Sequence, residues 1–81
     1  MKTKFSELPI GAQFETTILN GLSQLIGKEV MQKHDDKGAI LVAQTWFLPE
    51  SDHRVKLCRT NIGAYIVMQS GKFDPFVEVQ P

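Results

Sequence analysis

Glu29-Val30-Met31-Gln32-Lys33-His34-Asp35-Asp36-Lys37-Gly38-Ala39-Ile40-Leu41-Val42-Ala43-Gln44-Thr45-Trp46-Phe47 is the stretch that decides the fold class. Its first five residues read as a strand. His34 to Gly38 is a polar turn that ends on glycine. The run 39–47 is rich in β-branched and aromatic side chains, which fit a pleated, half-buried surface. The spacing predicts a β-hairpin. Downstream, residues 48–53 form a loop carrying Pro49. Val55-Lys56-Leu57-Cys58-Arg59 then alternates apolar and polar, as a half-buried strand does. Asn61-Ile62-Gly63 punctuates, and 64–68 is the next strand. Ser70-Gly71-Lys72 turns the chain into a last strand, Phe76-Val77-Glu78-Val79.

Upstream, a first strand is expected near residues 12–18, and residues 15–27 admit two readings. Ile18, Leu19, Leu22, Leu25 and Ile26 fit a helical stripe, with Thr16 or Thr17 to start it and Gly27 to end it. Against that, Asn20-Gly21 is a strong hairpin signal, and a glycine at a helix centre costs about 1 kcal/mol. A hairpin or irregular loop is the expectation, with one short helix within 16–27 as the alternative. The chain thus reads as mainly β, with five or six short strands closing a small barrel or sandwich.

Composition sets the limits. At 81 residues there is room for one domain, 1–81, and no second core. Lys plus Arg number 9 and Asp plus Glu 9, so the net charge is zero. A dedicated nucleic-acid binder ordinarily carries a basic excess, because phosphate contacts supply most of its affinity. Cys58 is the single cysteine, so no internal disulfide compensates for the small core. Dimerisation is the other route to burial. The basic opening Met1-Lys2-Thr3-Lys4 leads into no apolar segment, and the longest apolar run, 39–43, is far short of a membrane span. A cytoplasmic location and no membrane partner are expected.

The opening, Phe5-Ser6-Glu7-Leu8-Pro9-Ile10-Gly11-Ala12-Gln13-Phe14, reads as a folding element. Pro9 fixes its own φ and Gly11 permits a bend, which brings Phe5 and Phe14 onto one end of the core. The pattern Phe5-x-x-Leu8-Pro9-x-Gly11-x-x-Phe14 resembles the start of a loose group of small phage and bacterial proteins, Phe-x-Asp-Leu-x-x-Gly-x-x-Phe. Lys33 and Ala39 match that group's Lys-x5-Ala hairpin, and residues 74–79 resemble its closing Pro-then-Val-x-Val strand. Glu7 departs from the group's aspartate, and residues 15–27 and 48–72 are longer than its compact form. The resemblance implies a small SH3-like β-barrel of phage or mobile-element type, in a bacterial host. It carries over no catalytic or binding residues.

Candidate chemistry is sparse. His34, Asp35, Asp36, His53 and Cys58 are metal-ligand types, but no zinc spacing joins them. Cys58 and His53 lack a nucleophile-elbow or helix-N-terminal context. The pairs Glu50/Asp52 and Asp35/Asp36 lie in expected loops, and the glycines are scattered as turn residues. No enzyme activity, cofactor or metal is expected, and a small metalloprotein or enzyme is the least favoured alternative. Two binding readings remain. In one, His53, Arg54, Lys56 and Arg59 join Trp46, Phe47 and Tyr65 in a face for single-stranded nucleic acid. Trp46 and Phe47 are sequence neighbours, so one of them belongs to the core. In the other, Trp46 and Phe47, with Leu22 and Leu25 of the apolar 15–27 segment, anchor a protein partner. The protein-binding reading leads. Its most concrete form is binding and inhibition of a host protein, for example a defence component such as a CRISPR effector. A homodimer is a further expected assembly.

Overall fold

Six strands form one antiparallel sheet in the computed structural model, which describes residues 1–80. They are β1 (Lys2–Lys4), β2 (Gln13–Leu19), β3 (Leu25–Lys33), β4 (Gly38–Trp46), β5 (Tyr65–Val67) and β6 (Phe76–Val79), in the order β1-β6-β2-β3-β4-β5. The sheet curls into a half-barrel. A 3-10 turn, Phe5–Glu7, follows β1, and one short helix, α1 (His53–Cys58), lies between β4 and β5. The mainly-β reading and the small barrel-like architecture therefore hold.

The hairpin of β3 and β4 forms where the opening stretch placed it. Its turn is closed by Asp35, whose Oδ1 accepts from the backbone N–H of Lys37 (2.9 Å) and of Gly38 (2.8 Å). Gly38 is required there, because a Cβ at that position would stand 2.8 Å from the Ile66 carbonyl oxygen and run into the Tyr65 ring. A register shift between Val30 and Met31 leaves Val42 without a direct partner, which adds local twist to the sheet.

Of the two readings of residues 15–27 the hairpin holds, and one other sequence expectation is corrected. Residues 15–27 hold no helix. They form the β2–β3 hairpin, joined by residues 20–24. Asn20 decides it: its Oδ1 accepts from the N–H of Leu22 (2.9 Å) and of Gln24 (3.0 Å), and its Nδ2 donates to Gln24 Oε1 (2.8 Å). Those bonds make a turn that competes successfully with a helix. The correction concerns Val55 to Arg59, which is helix through Cys58 rather than strand. Asp52 caps it, accepting from Arg54 N–H at 2.9 Å. Val55 is fully buried while Leu57 is 81% exposed, so the apolar alternation did not mark one face of a strand. Strand β1 was not expected at all; Thr3 pairs with Val77 there.

The register sorts the side chains of the central strands. Phe14, Met31, Leu41, Ala39 and Val77 are buried together with Phe5 and Leu8 in the main core. Ile18, Ile26 and Val55 are buried outside that cluster, at the α1 end. Between the two lies a polar row: Thr16 pairs with Glu29, and Glu29 with Gln44. Gln44 Nε2 donates to Glu29 Oε2 (3.1 Å), and its Oε1 accepts from Thr60 N–H (3.4 Å). The polar row divides the apolar interior of this small sheet into two unequal parts.

The opening motif packs as a unit. Phe5 and Phe14, both fully buried, meet edge-to-face at 5.8 Å between ring centroids. Pro9 to Ala12 is a tight turn, with Ala12 N–H donating to Pro9 C=O (3.1 Å) and Gly11 at φ 92°, a conformation side chains disfavour. Lys33 runs beneath it. Only 3% exposed, it donates from Nζ to the carbonyl oxygens of Phe5 (3.0 Å), Leu8 (2.8 Å) and Ser6 (3.5 Å). Its Nζ also lies 4.7 Å from the Phe5 ring centroid.

Three aspartates join elements distant in sequence or fix their ends, and each is held below the ordinary carboxylate range. Asp74 accepts from the Ser6 hydroxyl and N–H. Asp35 accepts from the Tyr65 hydroxyl and the turn N–H groups. Asp52 is gripped by Arg54. Folded values below the unfolded 3.8 mean that the unfolded chain binds more protons in acid. The stabilisation is complete above that value and is lost as pH falls through the folded values. Thermal melts are expected to drop on acidification below about pH 4, with a shallower drop in Asp74→Asn.

Candidate functional site

The β2–β3 turn and α1 meet at one end of the sheet. From the β2–β3 turn come Asn20, Gly21, Leu22 and Gln24; from α1 come His53, Arg54, Leu57 and Cys58. Together they line a groove of about 410 Å³. Its position follows from the two local structures just described. Asn20 shapes the turn that carries Leu22. Asp52 starts the helix that carries Leu57, and Val55 buries the opposite side of that helix. Phe47 N–H donates to Ile26 C=O (2.9 Å), which ties the start of the β4–α1 connection to β3.

Leu22 and Leu57 are each 81% exposed. Leu25, at the start of β3, and Phe47, just past β4, are half exposed at the same end of the sheet. Exposed large side chains gathered from separate segments are the usual mark of an interaction surface. Of the residues singled out from sequence, Leu22, His53 and Arg54 line this groove, and Leu25 and Phe47 lie at its end of the sheet. Lys56 is exposed on α1.

Trp46 and Arg59 belong to a separate depression of about 300 Å³, which Gln44, Glu50 and Ile62 also line. Trp46 is half-buried, its indole lying where Gly27 leaves room: a Cβ on Gly27 would stand 3.0 Å from Trp46 Cε3. Trp46 is therefore the inward-facing member of the Trp46–Phe47 pair and Phe47 the outward one. The Arg59 guanidinium lies 5.8 Å from the Trp46 ring centroid and pairs with Glu50 at 3.5 Å. Tyr65 is elsewhere. It pairs with Ile40, six residues from Trp46 along β4, or roughly 20 Å away at the rise of a strand. Its hydroxyl donates to Asp35 (2.8 Å) and its ring meets His34 edge-on.

The charges of this end are largely paired. Arg54 donates from Nε (3.0 Å) and Nη2 (2.7 Å) to the two oxygens of Asp52, a bidentate pair. His53 Nδ1 lies 3.9 Å from the same carboxylate. Cys58 is half-buried in the groove wall, and no hydrogen bond joins it to His53 among the described residues. No group of three or more His, Cys, Asp or Glu side chains is arranged to hold a metal among the described residues. Among the described residues no helix is long and apolar enough to cross a membrane.

Leu57 was missed by the sequence reading, because as a strand residue it would have been interior. The signal that could have found it is Asp52, a helix-capping residue three positions before Val55. No family model, no curated protein and no solved structure matches the chain.

Proposed function

We propose that the chain is a protein-binding module rather than an enzyme, and that it docks through the groove between α1 and the β2–β3 turn. The observation that carries this is the convergence of Leu22 and Leu57, each 81% exposed, from segments more than thirty residues apart in sequence. A partner protein that seats an apolar side chain between them would bury both leucines, with the Arg54–Asp52 pair and His53 as a polar rim. The resemblance of the opening motif to small phage and bacterial proteins makes a host protein the proposed partner. Inhibition of a defence component, such as a CRISPR effector, is the concrete form of that proposal.

The test is affinity capture from the bacterial host with the tagged protein, alongside Leu22→Asp and Leu57→Asp. Both positions are solvent-exposed, so the variants are expected to melt like the parent. Each is expected to weaken capture of a stoichiometric partner about 30-fold, the effect of losing about 2 kcal/mol at an interface anchor. An unchanged set of captured proteins would refute the groove as the docking site.

The observation favouring nucleic acid is the cation–π contact of Arg59 with Trp46. Arg54 and Arg59 are already paired with Asp52 and Glu50, and Tyr65 lies apart from Trp46, so that reading has a weaker base. A salt-dependent shift of labelled single-stranded DNA or RNA would favour it over the protein-binding reading.

A further inference from the structure

Strands β1 and β5 are the two edges of the sheet, and they differ in chemistry. The β1 edge carries Lys2 and Lys4, both exposed, and lysines on an edge oppose pairing with another chain. The β5 edge has no such guard. Residues 64–68 contain no charged side chain, and Tyr65 and Val67 are 45% and 61% exposed.

The hydrogen bonds show which backbone groups of β5 are free. Leu41 N–H donates to Ala64 C=O (3.0 Å), and Met68 N–H donates to Lys37 C=O (2.8 Å). The Ala64 C=O and the Met68 N–H thus face the β4 side, and Ile66, which lies between them and pairs with Ala39, turns its polar groups the same way. Tyr65 and Val67 must then turn their N–H and C=O groups the other way. No strand of the sheet lies on that side. The edge offers two donors and two acceptors in the spacing of an extended strand.

We infer that β5 is a homodimerisation edge, pairing antiparallel with β5 of a second copy about a two-fold axis at Ile66. The register is self-complementary. Ile66 faces its own symmetry mate as a non-hydrogen-bonded pair, the kind with the closer side chains. Tyr65 of each copy faces Val67 of the other, and these two pairs exchange all four backbone bonds. An aromatic residue opposite a β-branched one is a favourable cross-strand pair. An axis at Tyr65 or Val67 would set that residue against itself and satisfy only half of the free groups. The reversed strand of a second copy matches the free groups in number and spacing, which commits the edge to that occupant, and charge permits it: residues 64–68 carry no charge and the net charge is zero. The result is a continuous sheet across both copies, with both grooves left open at the far ends.

Sedimentation equilibrium of the full chain tests this, with Val67→Pro as the variant. Proline removes an N–H that is unpaired in the monomer, at a position where an edge strand tolerates it. The parent is expected to dimerise reversibly, and Val67→Pro to raise the dimer dissociation constant at least tenfold at unchanged circular dichroism. Register is tested separately by cysteine cross-linking in a Cys58→Ser background. Ile66→Cys is expected to oxidise to a covalent dimer, because its Cβ atoms approach closely across the axis, and Val67→Cys is not. A parent that stays monomeric at every soluble concentration overturns the inference. So does a dimer broken by Leu57→Asp but not by Val67→Pro, or equal cross-linking at positions 66 and 67.

Discussion

Replacing Lys33 with methionine is expected to remove about 3–5 kcal/mol of folding stability. A domain of this length has only about 4–12 kcal/mol in total, on the ordinary scale per residue. Methionine keeps the length and apolar stem of the side chain, so packing around Phe5 is largely retained. What goes is the donor. The Leu8 carbonyl oxygen, bonded at 2.8 Å by a side chain only 3% exposed, would face the interior with no replacement, and the Phe5 carbonyl oxygen, bonded at 3.0 Å, would keep only the Leu8 N–H at 3.1 Å. Hydrogen bonds from a charged donor contribute about 1.5–3 kcal/mol each, and leaving a buried acceptor unpaired adds its desolvation cost. Asp74 feels the same ammonium, so the Ser6–Asp74 link between the opening and the approach to β6 would weaken as well. Urea denaturation of the parent and of Lys33→Met measures the difference. A loss below about 1 kcal/mol would show that Lys33 behaves as a solvated surface lysine, contrary to the geometry.

Lys33 also marks the limit of what the sequence made legible. The strands around it were readable because period-two alternation and turn residues act locally: residues 29–33, 39–47, 64–68 and 76–79 all fall within or nearly on strands. The apolar opening was readable as core for the same reason. Alternation places Lys33 on the face of Met31, but nothing local says that a lysine at the end of β3 is buried. That depends on the 3-10 turn at Phe5–Glu7 laying its carbonyls over β3, a long-range event. The helix at His53–Cys58 was missed through a conflict of two local signals. Val55 and Leu57 suggested alternation, whereas Asp52 supplied a cap, and the cap prevailed because only Val55 had a core to enter. The candidate site shows the same division. Leu22, His53 and Arg54 were named from sequence, but their meeting in one groove needed both the Asn20 turn and α1, and Leu57 became a surface residue only once α1 was a helix. Trp46 and Arg59, named for the same surface, meet in a separate depression because Gly27 opens a space for the indole.

Phe14→Ala is expected to cost about 3–5 kcal/mol, the range for emptying a fully buried aromatic site, and to leave the chain at the edge of folding. Phe14 has no exposed surface and shares the main core with Met31, Leu41 and Val77. Its partner Phe5 is held on one side by this ring, at 5.8 Å, and on another by Lys33 Nζ, 4.7 Å from its centroid. The residues thus form a chain of contacts, Phe14 to Phe5 to Lys33, which joins the first long strand to the end of the third through the opening turn. The milder Phe14→Leu keeps most of the volume and is expected to cost about 1–1.5 kcal/mol, which leaves enough stability for a double-mutant cycle. Combined with Lys33→Met, it is expected to destabilise by less than the sum of the single changes, with a coupling of about 0.5–1 kcal/mol. Each change releases Phe5, and Phe5 can be released only once. Strict additivity in denaturant melts would mean that the two residues stabilise separate parts of the fold. The opening motif would then be two independent contacts rather than one clamp.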